Sequence, residues 1–192
     1  MALTTKLEAV NIMISVIGES PVNTLSGTSV PVTVTQAVHA LDETSKALQS
    51  EGWHFNTEYD YPLVRDALTS KIILPANTLK VDLDPETYTD SDPVQRGLTL
   101  YDRKNHRDTW TKDLKAIITF ELQFEELPEQ FRHYISVKSA RIFAARFLGS
   151  REIEGFALRD EIEAKARAIE SDSENADRTI FDNYSVLRVL DR

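Results

Sequence analysis

The segment LPEQFRHYISVKSARIFAARFLGSREIEGFALRDEIEAKARAI, from Leu127 to Ile169, is the longest strongly helical run in the chain. Pro128 stands where a proline in the first helical turn costs no hydrogen bond, and Gly149 stands where a glycine commonly ends a helix. Apolar side chains surround most of the first helix, so this helix needs more than one neighbour. The segment therefore predicts an antiparallel helical hairpin inside a larger core.

The two helices of this hairpin differ in charge. Every full charge between Phe131 and Arg151 is positive, whereas the second helix is rich in Asp and Glu. The helices could therefore pair with each other, or part of the basic and apolar surface could meet another copy of the chain. The residues predicted to face inward on the second helix are Leu158, Ile162, Ala166 and Ile169. The predicted helical ion pairs are Glu161 with Lys165 and Glu163 with Arg167.

Length and composition narrow the class of protein. A chain of 192 residues fits one domain or a domain with an insertion. With 31 acidic and 22 basic residues the chain is acidic, which argues against a general nucleic-acid coat. The absence of cysteine excludes disulfides, a thiol nucleophile and a thiolate metal site. Because we find neither a signal-peptide pattern nor an apolar run of membrane-spanning length, we expect a protein that is neither secreted nor bound to a membrane.

Two further helices are predicted before the middle of the chain. Thr5 and Glu8 form a capping box ahead of an amphipathic run that ends at Gly18. A second helix is expected from Val32 to Ser50. The residues predicted to set the turns after these helices are Gly18, Pro21 and Gly52.

After Gly52 the apolar pattern changes from helical to alternating. Trp53 and Phe55 open an aromatic region and are expected to anchor a sheet to the helices. The clearest predicted strand alternates apolar and polar residues from Ile118 to Glu125. We therefore predict an α+β fold: a four-helix bundle, an inserted antiparallel β-sheet and an extended C-terminal tail. The predicted boundaries are 1–52 with 127–171 for the bundle, 53–126 for the sheet and 172–192 for the tail.

Few residues indicate chemistry. The four histidines are scattered, the acidic loop after Asp82 lacks the glycine and the terminal glutamate of a calcium loop, and we find no phosphate-binding loop or nucleophile elbow. Glu125 and Glu126 could form half of a glycosidase pair, but neighbouring strand residues face opposite sides. We therefore predict no catalytic residue, no metal site and no cofactor. A glycan hydrolase and a DNA-binding module stay open as alternatives.

One basic cluster is flanked by aromatic residues. It lies between Tyr101 and Trp110 on an expected hairpin tip, and its members are Arg103, Lys104, His106 and Arg107. Nucleic acid could bind there, but a small cluster on an acidic chain favours a protein contact.

Four segments together resemble a known family. They are AVNIMISVIGESPVNTL (9–25), EGWHFN (51–56), LYDRKNHRDTW (100–110) and LPEQFRHYISVKSARIFAARFLGS (127–150). In this order they are similar to the tail tubular protein A family, the head-to-tail adaptors of short-tailed, podovirus-type phages. The resemblance implies a ring of twelve copies at the portal vertex of the virion tail, assembled in the cytoplasm of the host bacterium.

The resemblance also implies partners. The ring would join the portal protein to the nozzle protein, tail tubular protein B, hold tail fibre protein nearby, and let viral DNA pass through its lumen without specific binding. No reaction would be catalysed. The bundle would form the ring body and face the portal, and the sheet would face the nozzle and fibres. Expected contacts at the subunit or portal face are Arg132, Lys138, Arg141 and Arg146. Expected contacts at the nozzle or fibre face are Arg103, Lys104 and Arg107.

Overall fold

The computed structural model describes residues 3–27, 30–148 and 151–176, and for Leu148 and 151–157 it describes only the helical backbone. The helices are α1 (Lys6–Val16), α2 (Val32–Gln49), α3 (Glu129–Leu148) and α4 (Arg151–Asn175). The strands are β1 (Thr57–Leu63), β2 (Thr78–Leu83), β3 (Pro93–Arg96), β4 (Thr99–Asp102) and β5 (Leu114–Phe120). The fold is α+β with four helices and antiparallel sheets, as the sequence predicts.

The chain forms two compact units. The helical unit takes the described residues up to Ser45 and those from Gln123 onward, and the sheet unit is Lys46–Leu122. The sheet unit is thus one continuous segment, whereas the helical unit is made from two segments that lie far apart in sequence.

Helix α1 begins as its sequence predicts. The Thr5 side chain accepts a hydrogen bond from Glu8 N, and the Glu8 carboxylate accepts one from Thr5 N at 2.8 Å, which completes the capping box. At its other end Gly18 has a φ of +83°, a conformation that glycine adopts without strain. The loop beyond Pro21 is held by the Asn11 side chain, which makes two hydrogen bonds with the backbone of Val22.

Helix α3 is the centre of the helical unit. Its fully buried side chains include Phe131, Tyr134, Ile135 and Phe143. It packs against both α1 and α4, so the predicted need for more than one neighbour is confirmed. The carbonyl of Pro128 accepts the first helical hydrogen bonds, from Phe131 N and Arg132 N. Gly149 lies outside the described residues.

Helix α4 faces inward with a different side from the one predicted. Ala164, Ala168 and Asp172 are buried, whereas Leu158, Ile162, Ala166 and Ile169 are exposed. Small alanine side chains let α4 approach α3 closely, and Glu161 on the same side forms an ion pair with Arg141 of α3. Glu161 therefore does not make the predicted pair with Lys165, although Glu163 and Arg167 do pair, at 2.6 Å.

The end of α4 also differs from the sequence prediction. The helix continues to Asn175, beyond the predicted start of the tail at residue 172. The rest of the predicted tail, 177–192, lies outside the described residues.

The sheet unit contains a three-stranded antiparallel sheet in the order β1-β5-β2, and a β3–β4 hairpin. Its core consists of Leu63, Ile72, Leu74, Val81, Leu83, Leu100, Trp110, Leu114 and Ala116. The predicted strand from Ile118 to Glu125 is shifted: β5 spans Leu114–Phe120, and Phe124–Glu126 is a 3-10 turn. The backbone of Leu122 is bound by the Gln49 side chain instead of by a neighbouring strand.

Candidate interaction surfaces

Arg132 lies inside the helical unit. Only 5% of the residue is exposed, although it was expected at a subunit or portal contact. Its guanidinium donates to the carbonyls of Leu127 (2.7 Å), Thr4 (2.9 Å) and Glu125. Arg132 therefore joins the start of α1 to the turn that precedes α3, and this structural role uses the donors that a partner protein would need.

The other three cations expected at that face differ in exposure. Arg141 pairs with Glu161, and both side chains are mostly buried. The Lys138 ammonium lies 5.5 Å from the ring centroid of Tyr134 on the same helix. Arg146 is the most accessible of the three cations: it contacts Glu43 of α2 at 3.4 Å with both side chains exposed. Among these cations, Arg146 has the geometry that best suits contact with another protein.

A groove lies between α2 and α3 in the helical unit. It has a volume of about 510 Å³ and is lined by Gln36, His39, Ala40, Glu43, Phe143, Arg146 and Phe147. The rings of Phe143 and Phe147 lie 4.5 Å apart, with Phe143 buried and Phe147 exposed. The groove thus has an aromatic floor and a charged rim.

The basic cluster of the sheet unit is fixed by one buried carboxylate. Asp102 accepts hydrogen bonds from Asp92 N, Lys104 N and the Asn105 side chain, at 2.7 to 3.1 Å. Burial raises the pKa of Asp102, but these hydrogen bonds outweigh it and the pKa is lowered overall. Asp102 therefore stays ionised and sets the shape of the turn that carries the cluster.

Each cation of the cluster already has a partner in the sheet unit. Arg103 pairs with Asp92 at 2.7 Å, Lys104 donates to the carbonyl of Thr89 at 2.8 Å, and Arg107 lies 3.8 Å from Asp102. The acidic loop thus acts as an internal counterion to the basic cluster.

The aromatic residues beside the cluster are not free to stack on bases. The Tyr101 ring carries the Arg96 guanidinium at 3.5 Å, and Trp110 is buried with its indole N–H donating to Leu100 O. Both observations favour a protein contact over nucleic acid at this tip.

The junction between α2 and β1 depends on residues that the sequence analysis missed. Trp53 and Phe55 were expected to open an aromatic region and to anchor the sheet. The structure forms a 3-10 turn there, at His54–Asn56, before β1 begins. The buried Asn56 amide donates to Gln49 O and Phe120 O, both at 2.9 Å. The sequence signal for this role is weak: a polar amide beside aromatic residues, four residues after a helix-ending glycine.

Trp53 and Gly52 complete this junction. The indole N–H of Trp53 donates to Leu48 O at 2.8 Å, and Phe55 is half-buried. Gly52 has a φ of +83°, so any side chain there would strain the backbone. Both residues thus serve the turn that leads from α2 into the sheet.

Two apolar stripes remain exposed on outer helices of the helical unit. The α1 stripe is Ile12 (48% exposed) and Val16 (41%). The α4 stripe is Leu158 (46%), Ile162 (61%) and Ile169 (44%). Apolar residues aligned at helical spacing on an exposed face mark a surface that contacts another protein more often than scattered ones do.

Among the described residues, no helix is both long and apolar enough to span a membrane. Within the same residues, no three His, Asp or Glu side chains come together in a way that could hold a metal ion.

An α+β chain with apolar stripes on its outer helices has the surface of a subunit in a larger assembly. The family model described as tail tubular protein matches residues 7–178. The chain therefore belongs to the tail tubular protein family, as its sequence segments indicate, and is a structural component of the phage tail. It is part of the virion and associates with other tail components. Among curated proteins, none matches the chain.

Proposed function

We propose that this protein forms the head-to-tail adaptor ring of a short-tailed phage. Twelve copies join the portal protein to the nozzle protein, tail tubular protein B, and the ring is assembled in the host cytoplasm. The observation that carries the proposal is the pair of exposed apolar stripes on the helical unit of a tail tubular protein. Burying the exposed part of each side chain against a neighbour contributes on the order of 1 kcal/mol, which favours assembly.

The two units take different roles in this proposal. The four helices form one bundle, which is the body of the ring and faces the portal. The groove rim with Arg146, together with Lys138, lies at the subunit or portal face. The sheet unit faces the nozzle and the tail fibre protein, which it helps to anchor, and presents the tip with Arg103, Lys104 and Arg107.

The charge of the chain suits a channel for DNA. Each copy carries a formal net charge of −9, so twelve copies carry about −108. A mainly negative lumen repels phosphate groups, and DNA then slides through without binding. In this role the protein is not an enzyme and needs no cofactor.

The direct test mixes the purified chain with the portal ring of the same virus. Sedimentation followed by native mass spectrometry is expected to show co-migration at one adaptor per portal subunit, with twelve adaptors in the complex. A well-folded chain that neither forms a ring nor binds the portal would overturn the proposal. Release of sugar from host glycans, or salt-dependent retardation of DNA on a gel, would instead support a hydrolase or a DNA-binding module.

A further inference from the structure

We infer that neighbouring copies in the ring meet through two different surfaces: the α4 stripe of one copy packs on the α1 stripe of the next. This inference rests on the proposed ring and names the contact that builds it. The partner is thus a second copy of this chain, and the surfaces are Leu158, Ile162 and Ile169 on one side and Ile12 and Val16 on the other.

Helices α1 and α4 pack on different sides of α3. Glu129 and Arg132 of α3 bind Thr4, two residues before α1, and Arg141 of α3 binds Glu161 of α4. Around a helix of 3.6 residues per turn, Arg141 lies about 120° from Glu129 and about 180° from Arg132. The contacts with α1 and with α4 therefore leave α3 in different directions.

Each stripe points away from α3. On α1 the buried residues are Ala9, Val10, Met13 and Ile14, so Ile12 and Val16 are on the outer side. On α4 the buried Ala164 and Ala168 leave Ile162 on the outer side. The helical unit therefore carries two separate apolar surfaces, one on each outer helix.

A closed ring requires two different contact surfaces on each copy. A twofold contact joins a patch to the same patch on its partner, whereas a ring joins two different patches head to tail. A single patch would suffice for a dimer. Two distinct patches that face different directions let every copy use one patch for each of its two neighbours.

Spacing and charge favour an antiparallel register between the stripes. Ile12 and Val16 are four residues apart, and so are Leu158 and Ile162. With Ile12 beside Ile162, Val16 lies beside Leu158, and Glu8 at the other end of the α1 stripe comes near Lys165. Lys165 is exposed and makes no ion pair within the part of the chain that the structure describes. Opposite charges therefore meet at the end of the apolar contact.

The inference is tested with two single variants, Ile12→Glu and Ile162→Lys, each assembled on the portal ring. Both side chains are exposed in the single copy, so helical ellipticity and the unfolding midpoint should stay close to wild type. Each variant alone is expected to lose ring formation at least tenfold by native mass spectrometry. An equimolar mixture is expected to restore rings in which the variants alternate, because every contact is then either native or a Glu–Lys pair.

The control variants are Val32→Glu and Val32→Lys, which make the same changes at an exposed residue at the start of α2. These should assemble like wild type. Normal rings from both single stripe variants would overturn the inferred contact and leave the adaptor ring intact as a proposal. Loss of rings with Ile162→Lys alone would indicate that two α4 stripes pair with each other, which also overturns it. Wild-type protein that never forms a ring would instead overturn the proposed function.

A second measurement uses the absence of cysteine from the chain. The variant carrying both Ile12→Cys and Ile162→Cys should give a ladder of disulfide-linked species up to twelve copies on a non-reducing gel after assembly and air oxidation. The pair Val32→Cys with Ile162→Cys should give no ladder. A ladder from the control pair, or none from the test pair, would contradict the inferred contact.

Discussion

The helical unit and the sheet unit are stabilised by different kinds of contact. In the helical unit the largest buried side chains lie along α3 and are apolar or aromatic. In the sheet unit the loops are shaped by the carboxylates of Asp66, Asp84 and Asp102, which accept hydrogen bonds from backbone N–H groups. Charges that are already paired within one copy gain less free energy from a partner than exposed apolar stripes gain from being covered. The contrast explains why we assign assembly of the ring to the helices.

The two units can be followed separately by spectroscopy. Both tryptophans of the chain, Trp53 and Trp110, lie in the sheet unit. Tryptophan fluorescence therefore reports on the sheet unit, and ellipticity at 222 nm is dominated by the helices. Unfolding in urea with both probes shows which unit a substitution affects.

The largest effect is expected for Phe143→Ala in α3. Phe143 is 1% exposed, so its removal should lower the stability of the helical unit by about 3–5 kcal/mol through lost burial and a cavity. Phe147→Ala, four residues later and 44% exposed, should cost about 1 kcal/mol or less. The measurement is the urea midpoint followed by ellipticity. Equal shifts for the two variants would contradict the central position of α3.

The second effect concerns the buried carboxylate of the sheet unit. Asp102→Ala leaves several backbone and side-chain N–H donors without an acceptor and should destabilise the sheet unit by about 2–3 kcal/mol. Asp90→Ala, which removes an exposed carboxylate from the neighbouring loop, is the matched control and should cost less than about 0.5 kcal/mol. Tryptophan fluorescence in urea measures both. If Asp102→Ala were as stable as the control, polar loop contacts would not stabilise this unit.

A smaller effect separates two ion pairs within the helical unit. Arg141→Ala leaves the mostly buried Glu161 carboxylate without this partner and should cost about 1–2 kcal/mol. Arg167→Ala breaks the exposed pair with Glu163 and should cost about 0.3–0.5 kcal/mol. The thermal midpoint at low salt compares them. The Arg141 effect should persist at 0.5 M salt, while the Arg167 effect should disappear, and the opposite order would refute the assigned burial.

The smallest effect is a difference in acid sensitivity. Hydrogen bonds from Thr69 lower the pKa of Asp66, and one from Thr87 lowers the pKa of Asp84. A hydrogen bond from Lys71 lowers the pKa of Asp108. These three carboxylates and Asp102, whose pKa is also lowered, all lie in the sheet unit. Glu8, whose pKa is lowered by its bonds with Thr5, lies in the helical unit.

The way stability changes with pH follows from the difference between the folded and unfolded pKa values. Because these pKa values are lower in the folded protein, the groups stabilise it above the unfolded value, about 3.9 for Asp, and this stabilisation is lost as the pH falls through the folded values. Between pH 6 and pH 3 the urea midpoint from tryptophan fluorescence should therefore fall more than that from ellipticity. A larger fall in ellipticity would reverse the comparison.

Local signals allowed much of the helical unit to be predicted from sequence. These signals act within a few residues: the capping box of Thr5 and Glu8, the periodic apolar run of α2 and the proline before α3. The observed bounds of the three helices agree with the predicted ones to within a few residues. The charge contrast in the hairpin also predicted that α3 and α4 could pair, as Arg141 and Glu161 do.

Sequence patterns did not show which side chains depend on distant parts of the chain. The apolar stripe of α4 suggested an inner face, but close packing on α3 selected the alanines and left the larger residues outside. Arg132 looked like a surface cation, because its three carbonyl partners become neighbours only after folding. Asn56 and Gln49 were missed for the same reason: each binds backbone across the sheet unit.

The divided helical unit also has a consequence for synthesis on the ribosome. Helices α1 and α2 leave first, but α3, the helix on which α1 packs, starts only at Glu129. At roughly 5–20 residues per second, about 5 to 20 seconds pass between the end of α2 and the completion of α3. During that time all the residues of the uninterrupted segment Lys46–Leu122 are available to contact one another, while the apolar residues of α1 stay uncovered until α3 is made. The nascent chain is therefore most in need of chaperones before its last third is made.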